Sequence, residues 1–299
     1  MKARIALTCL LAGAAVGVLA MAASANNSKS GLAGAKVDNF MLIDQQGIGH
    51  QLYYYKSNPA VVIVSHQAGD KASVKTLEAV EKMRAGYEAK GVVFFALDSS
   101  GNAKKAPLGK LEKAKTISVL DDDLQMVGRS LGVTSTAEVF VLNPKTWTVA
   151  YHGPEANLSA ALDAVIAGQA PKVTEAKVNG TTLNFPDRKT AAEWKKISYE
   201  KEVAPILANK CVACHAPGGV APFAMNSYEV VKGFAPMIRE AVMSKRMPPF
   251  HSGKGTHDLK TDGRLTDAQT KTLVHWIEAG APRGAGEDPL AKLGYVAPE

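Results

Sequence analysis

Cys211-Val212-Ala213-Cys214-His215 is a C-x-x-C-H pentapeptide. On one helical turn, residues three and four apart share a face. Two thiols at that spacing can meet the two vinyl groups of one porphyrin, and the next imidazole can reach its iron. This is the signature for covalent attachment of a c-type haem, with His215 as an axial ligand. A dithiol redox pair or half of a zinc site are the rival readings. A dithiol pair usually follows a strand in a βαβ unit, whereas here an amphipathic helical run, Ser198 to Lys210, leads in. A structural zinc takes four ligands, and the chain, with 3 Cys in all, has no second pair.

Outward to the N-terminus, Lys2 and Arg4 precede an apolar run from Ile5 to Ala22 and then Ala23-Ser24-Ala25. That is the charged, apolar and A-x-A order of a secretory signal peptide, expected at residues 1–25. Cys9 lies too early in the run to mark a lipoprotein. No later stretch approaches the ~20 apolar residues of a membrane span. Cleavage leaves Cys211 and Cys214 as the remaining thiols and no structural disulfide. The net charge of +7 includes Lys2 and Arg4, so the mature protein stays mildly basic. Such a charge suits an acidic protein partner. Nucleic acid is not expected, for there is no Arg-rich run and no nucleic-acid motif.

The rest suits two domains. Residues 26–37 read as a flexible lead-in, 38–171 as an α/β domain, 172–190 as a bridge and 191–299 as a helical domain. Ala60-Val61-Val62-Ile63-Val64 and Val92-Val93-Phe94-Phe95-Ala96-Leu97 are continuous apolar runs, the mark of strands buried on both faces. Between them Val74, Leu77, Val80, Arg84 and Tyr87 recur at helical spacing, and Gly91 marks the stop. Glu138 to Leu142 and Trp147 to Tyr151 flank Asn143-Pro144-Lys145-Thr146 as a hairpin. Asn157 is the expected cap of a last helix ending at Gly168. In the bridge, Val178-Asn179-Gly180-Thr181 reads as a hairpin turn and Phe185-Pro186-Asp187-Arg188 as a break.

This order resembles the thioredoxin-like fold, in particular its redoxin or peroxiredoxin-like branch, with Phe40 to Leu52 as the opening hairpin. The departures are chemical. That branch carries its active thiols between the first βαβ strand and its helix. Here the segment is Ser65-His66-Gln67-Ala68-Gly69-Asp70, without Cys. Ala137 stands where the family often has a cis-Pro, and a non-proline cis bond costs several kcal/mol, so a trans bond is expected. Thiolate nucleophilicity underlies redoxin chemistry, so a docking or structural role is expected instead. His66 reads as a polar loop residue.

In the last third, Ser198 can cap the helix entering the pentapeptide, and Pro205 should kink it. Thr266 with Gln269 fits a capping box for a helix that ends at Gly280. The ordered motifs Ala204-Pro205-Ile206-Leu207, C-x-x-C-H, Gly218-Gly219-Val220-Ala221-Pro222-Phe223, Arg246-Met247-Pro248-Pro249-Phe250 and Trp276-Ile277-Glu278-Ala279-Gly280-Ala281-Pro282 resemble a branch of monohaem, class I-like cytochrome c domains. Members of that branch often follow a redoxin-like domain. The resemblance implies an all-α domain binding one covalent haem c outside the bacterial cytoplasm, in the periplasm.

Met247 is the expected sixth ligand, because its two following prolines stiffen the loop and it lies between the haem motif and the last helix. Met225, Met237, Met243, His251 and His257 are its rivals. Arg246 could pair with a haem propionate, and Trp276 could pack on the porphyrin. The leading function is a periplasmic electron carrier, or the cytochrome subunit of a redox complex, placed between a dehydrogenase and an acceptor cytochrome or oxidase. The alternatives are a haem peroxidase, using Arg246 and His251 at an open distal site, and a haem-based redox or gas sensor.

Overall fold

The computed structural model describes residues 31–101, 117–249 and 263–293. The leader call on residues 1–25 and the rivals His251 and His257 lie outside the described residues. No described helix is long and apolar enough to cross a membrane.

Residues 41–153 build one seven-stranded mixed sheet. Its strands are β1 (Met41–Asp44), β2 (Gly49–Gln51), β3 (Val61–His66), β4 (Val93–Asp98), β5 (Ser118–Asp121), β6 (Val139–Asn143) and β7 (Thr148–Gly153). They lie in the order β2-β1-β5-β4-β3-β6-β7. β3, β4 and β5 run parallel, while β6 and β1 flank them antiparallel. The parallel strands are covered on both faces, which is why they read as unbroken apolar runs. Helix α1 (Lys71–Glu88) links β3 to β4, with Asp70 accepting from the Ser73 N–H as its cap. α2 (Met126–Leu131) and α3 (Leu158–Ile166) are the other α-helices of this half among the described residues. This is a thioredoxin-like arrangement, as the sequence leads one to expect.

Four local expectations over residues 66–190 need correction. His66 is no loop residue: it ends β3 and is 1 % exposed. Asn157 precedes α3, but its side chain caps nothing, because a 3-10 turn over Glu155–Asn157 gives it a near-helical rather than extended backbone. Val178–Thr181 forms no hairpin. The segment runs extended along the sheet half, where Thr136 donates its N–H to Thr181 O (2.9 Å) and Leu183 donates its own to Thr134 O (2.9 Å). Leu183 and Phe185 are buried in the sheet core. Pro186 starts a short helix, α4 (Pro186–Thr190), rather than a break, because a first-turn position needs no N–H. Ala137 has a trans bond, as expected, and a left-handed backbone (φ 64).

From residue 186 on, the described residues form helices and turns only. Beyond α4 these are α5 (Ala204–Lys210), α6 (Tyr228–Gly233), α7 (Ala235–Met243) and α8 (Asp267–Glu278). Pro205 does not kink α5. It sits in that helix's first turn, and a single π turn, Tyr199–Val203, precedes it. Ser198 caps the π turn by accepting from the Lys201 N–H (3.2 Å). The capping box of Thr266 and Gln269 on α8 is present. Tyr199, Val203, Leu207, Tyr228, Leu273, Val274 and Trp276 form the core of this half.

The halves meet through partly buried charge and two methionines, of which Met126 of α2 is buried in the core of the helical half. Arg129 of α2 pairs with Glu278 of α8 (2.8 Å), which also receives Arg239 of α7 (2.7 Å). Trp194 stacks on His275 (4.0 Å) while Arg129 lies over the same indole (4.8 Å). Met243 packs against the cores of both halves.

Candidate functional site

α5 delivers the pentapeptide at its C-terminal end. Val212 turns inward, with its N–H bonded to Leu207 O (3.0 Å), and is buried. The His215 N–H reaches back to Cys211 O (2.9 Å), so the two thiols and the imidazole occupy one turn. Both cysteines are free; Cys211 is partly covered and Cys214 exposed. Burial, with a smaller push from the neighbouring Cys214, raises the Cys211 thiol to about 12.

The chain after His215 wraps back over the turn. Ala221 donates its N–H to Cys214 O (3.1 Å), and Met225 donates its own to His215 O (2.7 Å). Gly219 permits this wrap, since a Cβ there would stand 2.5 Å from Cys214 O. The loop brings Phe223 onto His215, with ring centroids 4.6 Å apart. Phe223 in turn stacks on Phe234 at 4.0 Å. His215 Nδ1 lies 2.9 Å from the Phe223 carbonyl. A carbonyl only accepts, so Nδ1 carries the proton. The lone pair is thereby placed on Nε2, the arrangement of a metal-ligating histidine whose other nitrogen is held by a backbone carbonyl.

A cavity of about 270 Å³ opens beside this ring, lined by His215 with Val212, Met225, Asn226 and Leu290. The residues present suit a c-type haem in kind, with two free thiols and an oriented imidazole on one turn beside an apolar wall, although neither cysteine lines the cavity. Met225 was one of several rival ligands. It is 4 % exposed and lines the cavity with His215, but its backbone is bonded to His215 itself. It belongs to the wall that carries the imidazole, whereas a sixth ligand must come from across the ring.

The other sequence-derived site residues lie apart from that wall. Met247 follows α7 by a few residues, is 42 % exposed, and does not line the cavity. Arg246 pairs with Glu240 and donates from Nε to Ser244 Oγ (3.1 Å), so its guanidinium has protein partners. Trp276 is fully buried, donates Nε1–H to Pro282 O (2.9 Å) and lies 5.8 Å from the Tyr199 ring. The geometry gives it a core role. The Phe223 carbonyl is what sequence reasoning missed. The Gly-Gly-x-Ala-Pro-Phe loop pointed to the segment, but only the fold selects the accepting backbone oxygen.

Comparisons with known proteins concern fold alone. No protein-family model matches the chain, and no curated protein does. Among solved structures, a hypothetical protein from Sinorhizobium meliloti 1021 is 24% identical, with 52% of this chain and 95% of that one covered at a TM-score of 0.47. An uncharacterized conserved protein from Geobacillus kaustophilus is 20% identical, over 51% and 92%, at 0.46. A peroxidoxin from Mycobacterium tuberculosis is 15% identical, over 46% and 98%, at 0.40. At these scores the likenesses bear on neither activity nor ligand.

Proposed function

We propose that the chain is an exported electron-transfer protein with one haem c bonded to Cys211 and Cys214, its iron held by His215 and Met247. The sheet half serves as a docking and structural module without thiol chemistry. The observation that carries this reading is the His215–Phe223 hydrogen bond inside a C-x-x-C-H turn, because it fixes the tautomer that an iron needs. When bound, the haem supplies reversible one-electron chemistry, and a thioether ligand favours the ferrous state and raises the potential.

The remaining work falls to the chain's own residues. Cys211 and Cys214 fix the porphyrin edge, Phe223 holds the imidazole plane, and Val212 and Leu290 keep water from the ring. Arg246, already paired with Glu240, is poorly placed to serve a peroxide-cleaving site, which weighs against the peroxidase alternative. The mild positive charge suits acidic redox partners, a dehydrogenase on one side and an acceptor cytochrome or oxidase on the other.

The test is to mature the protein in a host that attaches haem to such motifs, then extract with acidic acetone. Colour should stay with the protein, and Cys211→Ser/Cys214→Ser should lose all covalent haem. Colour that leaves the unaltered protein sinks the reading.

A further inference from the structure

We propose that the sheet half positions the Arg246–Met247 step, acting through a grip on the end of α7. This deepens the reading above and rests on Met247 as the iron's second axial ligand.

The grip is built from three contacts. Asn39 is 3 % exposed. Its Oδ1 accepts the Tyr53 N–H (3.0 Å), and its Nδ2 donates to Glu240 Oε1 (2.7 Å). With both ends of the amide engaged, its orientation is fixed. The other Glu240 oxygen pairs with Arg246. One residue along, Arg239 donates to Asp38 (2.9 Å). One turn on, Met243 closes a crevice lined by Val37, Phe40, Val127 and Leu131 that keeps only about 10 Å³ of free space.

Nothing slack separates this grip from Met247. The Ser244 N–H bonds to Glu240 O (2.9 Å), that of Lys245 to Val242 O (3.0 Å), and that of Arg246 to Ala241 O (2.9 Å). The Met247 N–H bonds to Ala241 O as well (3.1 Å). The Lys245 and Arg246 bonds form the Schellman wrap of a helix end, with Lys245 in the left-handed position (φ 52). Gly280 holds the equivalent place after α8 (φ 91). A left-handed residue with a Cβ is strained and persists only where its surroundings over-determine it. Here Lys245 is largely buried, which lowers its pKa, while Asp121 and Asp122 of the sheet half and Asp267 of α8 attract its charge. A displacement of the end of α7 therefore carries Met247 with it, and the sheet half is what resists that displacement.

The test uses the full haem-loaded protein. Asn39→Asp keeps the shape of the amide but sets a carboxylate against Glu240. The charge-transfer band between the methionine sulfur and ferric iron should weaken, and imidazole should bind the ferric haem about tenfold more tightly, one decade in the equilibrium constant. The double variant Asn39→Asp/Glu240→Gln restores a donor–acceptor pair with its polarity reversed, and should return both readouts to their starting values. Covalent haem content should not change in either. If Met247→Ala abolishes the band while Asn39→Asp leaves band and imidazole affinity untouched, the positioning role is overturned and the ligand reading stands. If the band survives Met247→Ala, the ligand reading falls and the proposal with it. Should Asn39→Asp fail to fold, Glu240→Leu, which leaves Asn39 Nδ2 without its acceptor, serves instead, and an unshifted imidazole affinity there overturns the proposal equally.

Discussion

The two halves of this chain solve the folding problem at different ranges. The sheet half stands on six-residue parallel strands, β3 and β4, whose buried side chains form clusters above and below the sheet. Two of its buried carboxylates are answered from within the half. Glu138 accepts from Thr134 and Ser135, and Asp122 accepts from Ser99 (2.7 Å) and the Gly128 N–H (2.7 Å). The helical half has described helices of 5 to 12 residues, too short to be stable by propensity. They are held by a few large aromatic side chains and by one another.

That contrast can be broken first in the cores. Trp276→Ala should cost about 3–5 kcal/mol, and it also leaves the Pro282 carbonyl without its donor. Phe140→Ala, at an equally buried sheet position, should cost a similar amount. The two should differ in what melts: chemical denaturation followed at the haem should shift for Trp276→Ala and barely move for Phe140→Ala. Equal shifts of the haem signal in both would show that the halves unfold as one unit.

The pH response sharpens the comparison at a smaller scale. Burial raises the Asp122 carboxyl to about 6. Its folded value is above its unfolded one, so the stability it contributes is fully present below about 4 and is lost as the pH rises through 6. His275 runs the other way. Burial, against the attraction of Asp187, lowers its pKa, so its contribution is present above about 6.5 and fades as the pH falls. Acidification from pH 7 to 5 should therefore stabilise the sheet half, by on the order of 1–2 kcal/mol, and loosen the helical half. Hydrogen exchange measured residue by residue at the two pH values checks this; parallel changes in both halves would refute it.

The smallest effect concerns the helix ends. Lys245→Gly should relieve the left-handed strain and raise the thermal midpoint, a gain of up to about 1 kcal/mol. The same substitution removes the charge that faces Asp121 and Asp122, so a loss instead of a gain would show that those carboxylates outweigh the strain.

What could be read from the sequence follows the same division. β3 and β4 were legible because strands covered on both faces must be apolar at every position. β5 was not: Ser118–Asp121 has four residues with two buried, too short to show a period, yet it lies between β4 and β1 inside the sheet. Val178–Thr181 reads as a hairpin turn but runs extended, because Gly180 signals backbone freedom without saying what the backbone meets.

The sequence by itself determined that two thiols and an imidazole share one helical turn, for Cys211 to His215 spans only five residues. It determined too that residues 38–171 hold no thiol, since those positions contain no Cys. Tertiary structure alone decided that the Phe223 carbonyl holds His215, that Trp276 serves the core, and that Asn39, some two hundred residues before Glu240, meets it across the junction. Local spacing sets what neighbours in the chain can do; contacts between distant segments depend on every element packing at once.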